Sequence, residues 1–191
     1  MNVFDFDKTI YDGDSTVDFW KYCLKKHPAT KKHLIHTAFN GIRFGLGIME
    51  KTAFKEDFYS FLSEIDDIDQ TLVEFWDEHE IKIKDWYLQM QKEDDIIISA
   101  SPEFLLKPIC DKLGIKYMMA SRVNSKTGKY TGTNCHGQEK VRRYKEKFAG
   151  RQIHEFYSDS YSDTPLAKLA FDPILVKGNE FEPWSEKELS K

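Results

Sequence analysis

The sequence has few cysteines, no excess of basic residues and no apolar run long enough to span a bilayer. Its three cysteines, Cys23, Cys110 and Cys135, are an odd number without metal-ligand spacing, so we expect reduced core thiols. The formal net charge of −4 provides no basic footprint for nucleic acid. We therefore expect a protein that binds no nucleic acid. Because the pattern of a signal peptide is also missing, we expect it to be cytoplasmic.

Apolar residues make up 40% of the 191 positions, which is enough for a sizeable core. The segment Val3–Thr9, with the sequence V-F-D-F-D-K-T, begins with β-prone residues and ends in a loop that carries two acids. Residues two apart on a strand face the same side, so Asp5 and Asp7 would both point into one site. A polar strand end with Asp7 in a turn is the alternative interpretation of this pair alone.

Residues 14–90 show helical periodicity and no strand pattern. The length of this block is too great for a single crossover between two strands, so we expect a separate unit. Helices are predicted over Thr16–Lys26 with Ser15 as N-cap, and over about Thr30–Phe44. A third is predicted from Thr52 through Ile65, and a fourth from the acidic cap Asp66–Asp69 to Met90, with a break near His79.

The second of these helices has an unusual distribution of polar side chains. His33, His36, Asn40 and Arg43 recur at spacings of three and four, while apolar residues fill most other positions. A surface helix usually has a broad polar face and a narrow apolar one. We therefore expect this helix to be buried on two sides, or to lie against a lipid or a partner.

After Asp95 the sequence alternates between strand and helix patterns, which is typical of a parallel sheet. We predict an α/β, Rossmann-like core with helices on both faces, formed by residues 1–13 and 91–191, with residues 14–90 as an inserted all-helical cap. Strands are predicted over Ile96–Ile98, Tyr117–Ala120, Ile153–Tyr157 and Ile174–Val176, with a hairpin over Val123–Thr133 and a polar tail. Helices are predicted from Pro102, with Ser101 as N-cap, to Gly114, and over about Gln138–Phe148.

Polar side chains follow three of the predicted strands, and the carboxyl ends of parallel strands share one sheet edge, where ligands bind. Asp5, Asp7 and Asp159 offer hard oxygen ligands, which suit Mg²⁺ rather than Zn²⁺. Ser99 offers a hydroxyl, and the backbone N–H groups from Ala100 onward, at a predicted helix start, would bind an anion. Together these features predict a metal-assisted phosphate site.

Four short motifs resemble those of the haloacid dehalogenase-like hydrolases, and they occur in the expected order. D-F-D-K-T matches the first motif, DxDxT, and I-I-I-S, ending in Ser99, matches the second. Lys140 matches the third, and D-S-Y-S-D, from Asp159 to Asp163, matches the fourth. The helical insertion resembles the C1-type cap of the phosphoserine phosphatase-like branch of that family.

The resemblance implies a phosphomonoester hydrolase that forms an aspartyl-phosphate. Asp5 would be the nucleophile and Asp7 the general acid and base. Mg²⁺ would be held by the Asp5 carboxylate, the Asp7 carbonyl and the Asp159 carboxylate. Asp163 would orient Lys140 or a metal-bound water. The phosphoryl oxygens would be bound by Ser99, Ala100 and Lys140.

The substrate is expected to be a small phosphorylated metabolite, phosphoserine-like or similar, and the resemblance places Asp14 near it. An acid at Asp14 is equally explained by the helix that follows. The expected arginine for a substrate carboxylate is missing from residues 49–58, which offer only Lys51 and Lys55. Arg43 is the substitute candidate, and a solvent-facing role is its alternative.

Two other functions stay open at this point. The apolar second helix is compatible with a phospholipid phosphatase, phosphatidylglycerophosphate-like, at a membrane surface, and a phosphotransferase is the other alternative. A basic patch next to this helix would be solvated, or would steer an anionic substrate or contact anionic lipid. This basic patch consists of Lys25, Lys26, Lys31 and Lys32. The sequence leaves the oligomeric state open.

Overall fold

The computed structural model describes residues 1–190, and a six-stranded sheet organises them. The strand order is β3-β2-β1-β4-β5-β6. The first five strands pair in parallel, and β6 pairs antiparallel with β5. This sheet confirms the predicted α/β core. The strands are β1 (Val3–Phe4), β2 (Ile96–Pro102), β3 (Tyr117–Ser121), β4 (Ile153–Ser158), β5 (Ala170–Lys177) and β6 (Glu180–Pro183).

The short strand β1 lies in the middle of the sheet. Val3 pairs with Ile96 of β2 on one side and with Phe156 of β4 on the other. All three side chains are fully buried, as expected for the apolar strands of a parallel sheet. Asp5 therefore leaves the sheet at its centre, between the ends of the two neighbouring strands.

Helices cover both faces of the sheet, and side-chain alternation along the strands supplies a core to each. Phe4 and Ile97 pack on one face with Leu105 and Leu106, whereas Val3 packs on the other face with Tyr144. The helices outside the residue 15–90 region are α6 (Glu103–Lys112), α7 (Gln138–Lys147), α8 (Thr164–Ala167) and α9 (Glu186–Leu189).

Residues 15–90, called the helical segment below, contain no strand. The predicted break at His79 is confirmed, because the fourth helix ends there. Trp76 fixes the segment to α6 and to the loop after β1, since its indole N–H donates to the Leu105 carbonyl at 2.7 Å and its ring lies edge-on to Phe6 and Tyr11. Its helices are α1 (Ser15–Lys26), α2 (Leu34–Gly45), α3 (Lys51–Phe58), α4 (Ile68–His79) and α5 (Asp85–Met90), with 3₁₀ turns at Pro28–His33, Tyr59–Glu64 and Glu80–Lys82.

Both predicted serine N-caps are wrong. Asp14, not Ser15, caps α1, because its Oδ1 accepts the Val17 N–H at 3.0 Å. Ser101 does not cap α6, because β2 continues through Pro102 and that residue occupies the N-cap position. The proline holds its own φ at −62° with an extended ψ of 135°, so the strand runs directly into the helix.

Three other sequence-based boundaries differ from the structure. The second helix begins at Leu34 because a 3₁₀ turn occupies the preceding residues. The predicted hairpin is reduced to one antiparallel bridge between Val123 and Tyr130. The predicted polar tail instead forms β6 and α9, where Val176 of β5 pairs with Phe181.

All three cysteines are buried and free, as predicted for core thiols. Burial raises the pKa of Cys23 and of Cys110 to about 12, so both stay protonated at neutral pH. Within residues 1–190, no helix combines the length and hydropathy needed to cross a membrane.

Candidate active site

A cavity at the carboxyl ends of the parallel strands, called the sheet-edge cavity below, collects almost all of the predicted site residues. Arg43 is the exception, because it is exposed on α2 and its guanidinium donates to Asn40 at 3.1 Å. The lining contains the predicted residues Asp5, Asp7, Asp14, Ser99, Ala100, Lys140, Asp159 and Asp163.

A buried lysine joins two carboxylates in the floor of this cavity. Lys140 Nζ lies 2.7 Å from Asp5 Oδ1 and 2.7 Å from Asp163 Oδ2. Asp163 also accepts a hydrogen bond from the Ser158 hydroxyl at 2.9 Å. Burial lowers the pKa of Lys140, but the two carboxylates outweigh it and hold that pKa above its ordinary value. The lysine is therefore a fixed cation beside Asp5.

Asp5 lies almost entirely out of solvent. Burial raises the pKa of its carboxyl to about 7, against the opposing attraction of Lys140. Of the two carboxylate oxygens of Asp5, Oδ1 accepts a hydrogen bond from Lys140 Nζ. No described side chain donates a hydrogen bond to Oδ2. One carboxylate oxygen is thus anchored while the other is free to react or to bind a cation.

Asp7 has a different environment from Asp5. Its Oδ1 accepts the Ser15 N–H at 2.7 Å, and its Oδ2 accepts a short hydrogen bond from the Ser101 hydroxyl. Burial raises the pKa of Asp7 to about 6, and the negative charge of Asp14 adds to the rise. A carboxyl with a pKa near neutrality can both give and take a proton.

The backbone turns sharply directly after Asp7. Lys8 has a φ of +58°, an uncommon conformation for a residue with a side chain. Its N–H donates to the Gly13 carbonyl at 2.8 Å, and Lys84 Nζ donates to its carbonyl at 2.8 Å. These two bonds hold the left-handed residue in place and fix the direction in which the Asp7 side chain points.

The chemistry of the oxygen donors fits a hard divalent cation. The Asp159 carboxylate makes no ion pair and accepts no hydrogen bond from any other residue among 1–190, and burial raises its pKa. Its backbone N–H is held by the Thr9 hydroxyl at 3.0 Å, which fixes this residue next to the first loop. No group of three or more His, Cys, Asp or Glu side chains is placed to hold a metal in the described chain. The Asp5 and Asp159 carboxylates with the Asp7 carbonyl would suit Mg²⁺, which usually keeps several waters.

The match to a known family covers most of the chain. Residues 3–168 match the model of the haloacid dehalogenase-like hydrolases. The chain belongs to this family. A histidinol-phosphatase from Neisseria meningitidis serogroup C (strain 8013) is 25% identical over 205 aligned positions, which cover 92% of this chain and 89% of that protein.

Two solved structures show the same fold. A Bordetella pertussis Tohama I protein of unknown function has a TM-score of 0.74 and 20% identity, covering 92% of this chain and 88% of its own. A phosphoserine phosphohydrolase-like protein from Francisella tularensis subsp. tularensis SCHU S4 has a TM-score of 0.57 and 20% identity. The match covers 94% of this chain and 88% of that chain. At this identity the likeness concerns the fold alone.

Six residues of this hydrolase line the sheet-edge cavity without having been predicted as site residues: Lys8, Lys51, Lys55, His136, Ser160 and Ser162. Ser101, whose hydroxyl donates to Asp7 Oδ2, was not predicted as a site residue either. Lys55 forms no ion pair with any described residue, and burial, followed by the charge of Lys51, lowers its pKa to about 8. The two lysines are four residues apart on α3 and so face the same way, a spacing that signals a shared site. Ser101 carries a weaker signal, because Ser before Pro is also typical of a helix start.

A second, more apolar cavity of about 420 Å³ extends from Asp7 into the helical segment and is called the apolar cavity below. Phe54, Phe58 and Val17 line it, together with Lys55. Asp14 borders both cavities, and its Oδ1 also caps α1. The position of Asp14 is therefore compatible both with helix capping and with a place near the substrate.

A loop of the α/β core holds α3 over the site. Glu56 accepts the Tyr130 N–H at 2.8 Å and lies 3.2 Å from Lys129 Nζ. Gly128 in the same loop has a φ of +71°, and a Cβ there would lie 2.5 Å from the Tyr59 carbonyl oxygen. The loop therefore touches the helical segment at van der Waals distance and positions the helix that carries Lys55.

Proposed function

We propose that this hydrolase is a Mg²⁺-dependent phosphomonoesterase that works through an aspartyl-phosphate on Asp5. The observation that carries the proposal is the unequal environment of two carboxylates in one cavity. Asp5 is paired with the buried cation Lys140, whereas Asp7 is held by an N–H and a hydroxyl and has a pKa near 6. Two carboxyl groups with different environments support two different roles.

In the first step, Asp5 Oδ2 would attack phosphorus, and the bond from phosphorus to the leaving oxygen would break. Asp7, in its protonated form, would give its proton to that oxygen, so the leaving group departs as an alcohol. In the second step, Asp7 would take a proton from water, and the resulting hydroxide would attack the phosphorus of phospho-Asp5. Asp5 is regenerated and inorganic phosphate is released.

The remaining residues would bind charge rather than react. Ser99 and Lys140 would bind phosphoryl oxygens, with Asp163 orienting the lysine through its 2.7 Å contact. Mg²⁺ would be held by the carboxylates of Asp5 and Asp159 and the carbonyl of Asp7. The ion would supply positive charge against the phosphoryl oxygens.

The helical segment would act as a cap that selects the leaving group, with residues 14–90 as the cap and residues 1–13 and 91–191 as the core. The cations Lys51 and Lys55 favour an anionic substrate, and a relative named histidinol-phosphatase supports a small phosphorylated metabolite. The apolar cavity beside Phe54 and Phe58 favours one second candidate, a phospholipid phosphate.

The test is phosphate release from a panel of phosphomonoesters: phosphoserine, histidinol phosphate, sugar phosphates and micellar phosphatidylglycerophosphate. The wild type should release phosphate from at least one of them only when Mg²⁺ is present. Asp5→Asn should lower the rate about 10⁴-fold or more, because the nucleophile is lost. Asp66→Asn, on the exposed surface, is the matched control and should keep the wild-type rate. An Asp5→Asn enzyme with normal phosphate release would overturn the proposal.

A further inference from the structure

The helix α2 is oriented with its apolar side toward solvent. Ile35, Phe39, Ile42 and Leu46 are 84%, 59%, 64% and 70% exposed, and Ile48 beyond the helix is 64% exposed. The spacings of four, three and four residues place the first four on one stripe along the helix. We call these five residues the α2 apolar face. A contiguous apolar face of this kind marks an interaction surface rather than scattered exposure.

Specific contacts on the opposite side hold the helix in this orientation. His36 Nδ1 lies 2.5 Å from Asp57 Oδ1 of α3, and Asn40 is buried with only 3% of its surface exposed. Gly41 faces Phe54, and a Cβ there would meet the ring at 3.7 Å. The expected burial of this helix on two sides is therefore wrong, since Asn40 is the buried residue of α2 and the apolar face is left without a partner in the described chain.

The segment of the chain that carries this face has charged residues of one sign. Residues 19–49 contain five lysines and one arginine but no Asp or Glu, although the whole chain has a net charge of −4. Lys25, Lys31 and Arg43 form no ion pair within residues 1–190. The Arg43 guanidinium lies 5.9 Å from the Phe39 ring, so this cation borders the apolar face directly.

We propose that the α2 apolar face docks onto the surface of an anionic lipid bilayer. An exposed apolar stripe on an acid-free segment that carries unpaired cations is the pattern of a helix that lies in the membrane interface. With 12 residues, α2 would be about 18 Å long, which is too short to cross a bilayer, so it would lie in the plane. A second copy of the chain fits the face less well, because symmetric pairing would bring two acid-free cationic segments together.

The docking surface adjoins the apolar cavity. Phe44 of α2 stacks on Phe54 at 4.9 Å with the rings 4° from parallel, and Phe54 lines the cavity that reaches Asp7. If the proposed phosphatase activity holds, docking would place the cavity beside phosphate esters at the bilayer surface. The docking itself does not rest on that activity.

Vesicle co-sedimentation tests the proposal, with phosphatidylcholine vesicles and with phosphatidylcholine vesicles containing phosphatidylglycerol. The wild type should bind only the anionic vesicles, and added salt should weaken the binding. The double variant Ile35→Ser/Phe39→Ser should lower the partition coefficient at least about tenfold, since two large apolar side chains are removed from the contact. Phe171→Ser is the control, because Phe171 is 77% exposed on β5, away from α2, and its loss should change nothing.

Several results would overturn the proposal. These are no binding of the wild type to anionic vesicles, equal binding to both vesicle types, or unchanged binding of the double variant. A dimer in solution that Phe39→Ser dissociates would assign the face to a second copy and would also overturn it. Release of phosphate from a soluble substrate should be the same for wild type and double variant, so a failure of docking is distinguishable from a failure of the phosphatase proposal.

Discussion

The sheet edge and the helix α2 place polar and apolar groups in opposite ways. At the sheet edge, three charged side chains are buried together, with Lys140 paired to both Asp5 and Asp163. On α2, Asn40 is buried and His36 contacts Asp57 of α3, whereas the α2 apolar face lies in solvent. A buried charge costs free energy unless an opposite charge pairs with it. A large exposed apolar surface is unfavourable in water unless a partner covers it. The buried charges of the sheet edge therefore point to a catalytic role, and the exposed α2 apolar face points to a role in recognition.

The largest expected effect comes from Lys140→Met, which removes the cation between two buried carboxylates. Breaking such a pair leaves uncompensated charge and should cost about 3–5 kcal/mol of unfolding free energy. The turnover number should fall about 10³-fold, since the proposed donor to the phosphoryl group is lost. Urea unfolding and phosphate release measure the two effects.

Lys145→Met is the matched control for this change, because Lys145 lies on the same helix α7 and is exposed. It should leave both stability and turnover at the wild-type level. A Lys140→Met protein as stable and as active as the control would remove the contrast between paired buried charge and solvated surface charge.

A smaller effect is expected at Lys55, the unpaired lysine that the helical segment brings to the sheet edge. Its lowered pKa of about 8 means that the side chain is cationic below pH 8 and neutral above it. If the cation binds the substrate, kcat/KM should fall as the pH rises through 8. Lys55→Met should lower kcat/KM about 10- to 100-fold at neutral pH and abolish this limb of the profile.

Lys55→Arg separates charge from size, because arginine stays protonated throughout the range. It should keep activity above pH 8, where the wild type loses it. A pH profile that is identical in wild type, Lys55→Met and Lys55→Arg would show that the helical segment contributes no charge to the site.

The smallest effect is expected where the core loop touches the helical segment. Gly128 and Gly114 have nearly the same φ, +71° and +70°, so alanine costs about 1–2 kcal/mol at each for the left-handed backbone. Only at Gly128 would the new Cβ meet a neighbour, the Tyr59 carbonyl at 2.5 Å, whereas nothing lies within 4 Å at Gly114. Gly128→Ala should therefore lose about 1–3 kcal/mol more stability than Gly114→Ala, and should raise KM severalfold by displacing α3. Equal stability and KM in the two variants would show that the contact does not position the helical segment.

The sheet could be predicted because its signals are local. Ile96–Ile98 is a continuous apolar run, and Asp5 and Asp7 are two residues apart at a strand end. These local patterns are enough to predict the buried strand and the shared side of the two acids. The antiparallel strand β6 escaped prediction because Glu180–Pro183 is an edge strand that has two glutamates among four residues and buries little surface. Edge strands of this kind lack the apolar pattern on which the prediction depends.

The site was predictable in its acids but not in its supporting contacts. Ser101 precedes a proline and so resembled an N-cap, yet the continuing strand turns its hydroxyl to Asp7. Lys55 reaches the cavity only because α3 is held over it by Glu56 and the core loop, a tertiary contact between residues 74 apart. For α2, the unusual periodicity was visible, but which side packs inward depends on Asp57 of another helix.

The most direct test of the central claim is to locate the phosphoryl group during turnover. The enzyme would be mixed with a radiolabelled phosphomonoester that it hydrolyses, quenched in acid within the turnover time, and digested for peptide mass spectrometry. The mechanism predicts a labelled peptide whose only phosphorylated residue is Asp5, and no label in Asp5→Asn. Full hydrolysis with no label on Asp5 at any quench time, or label on another residue, would contradict the account.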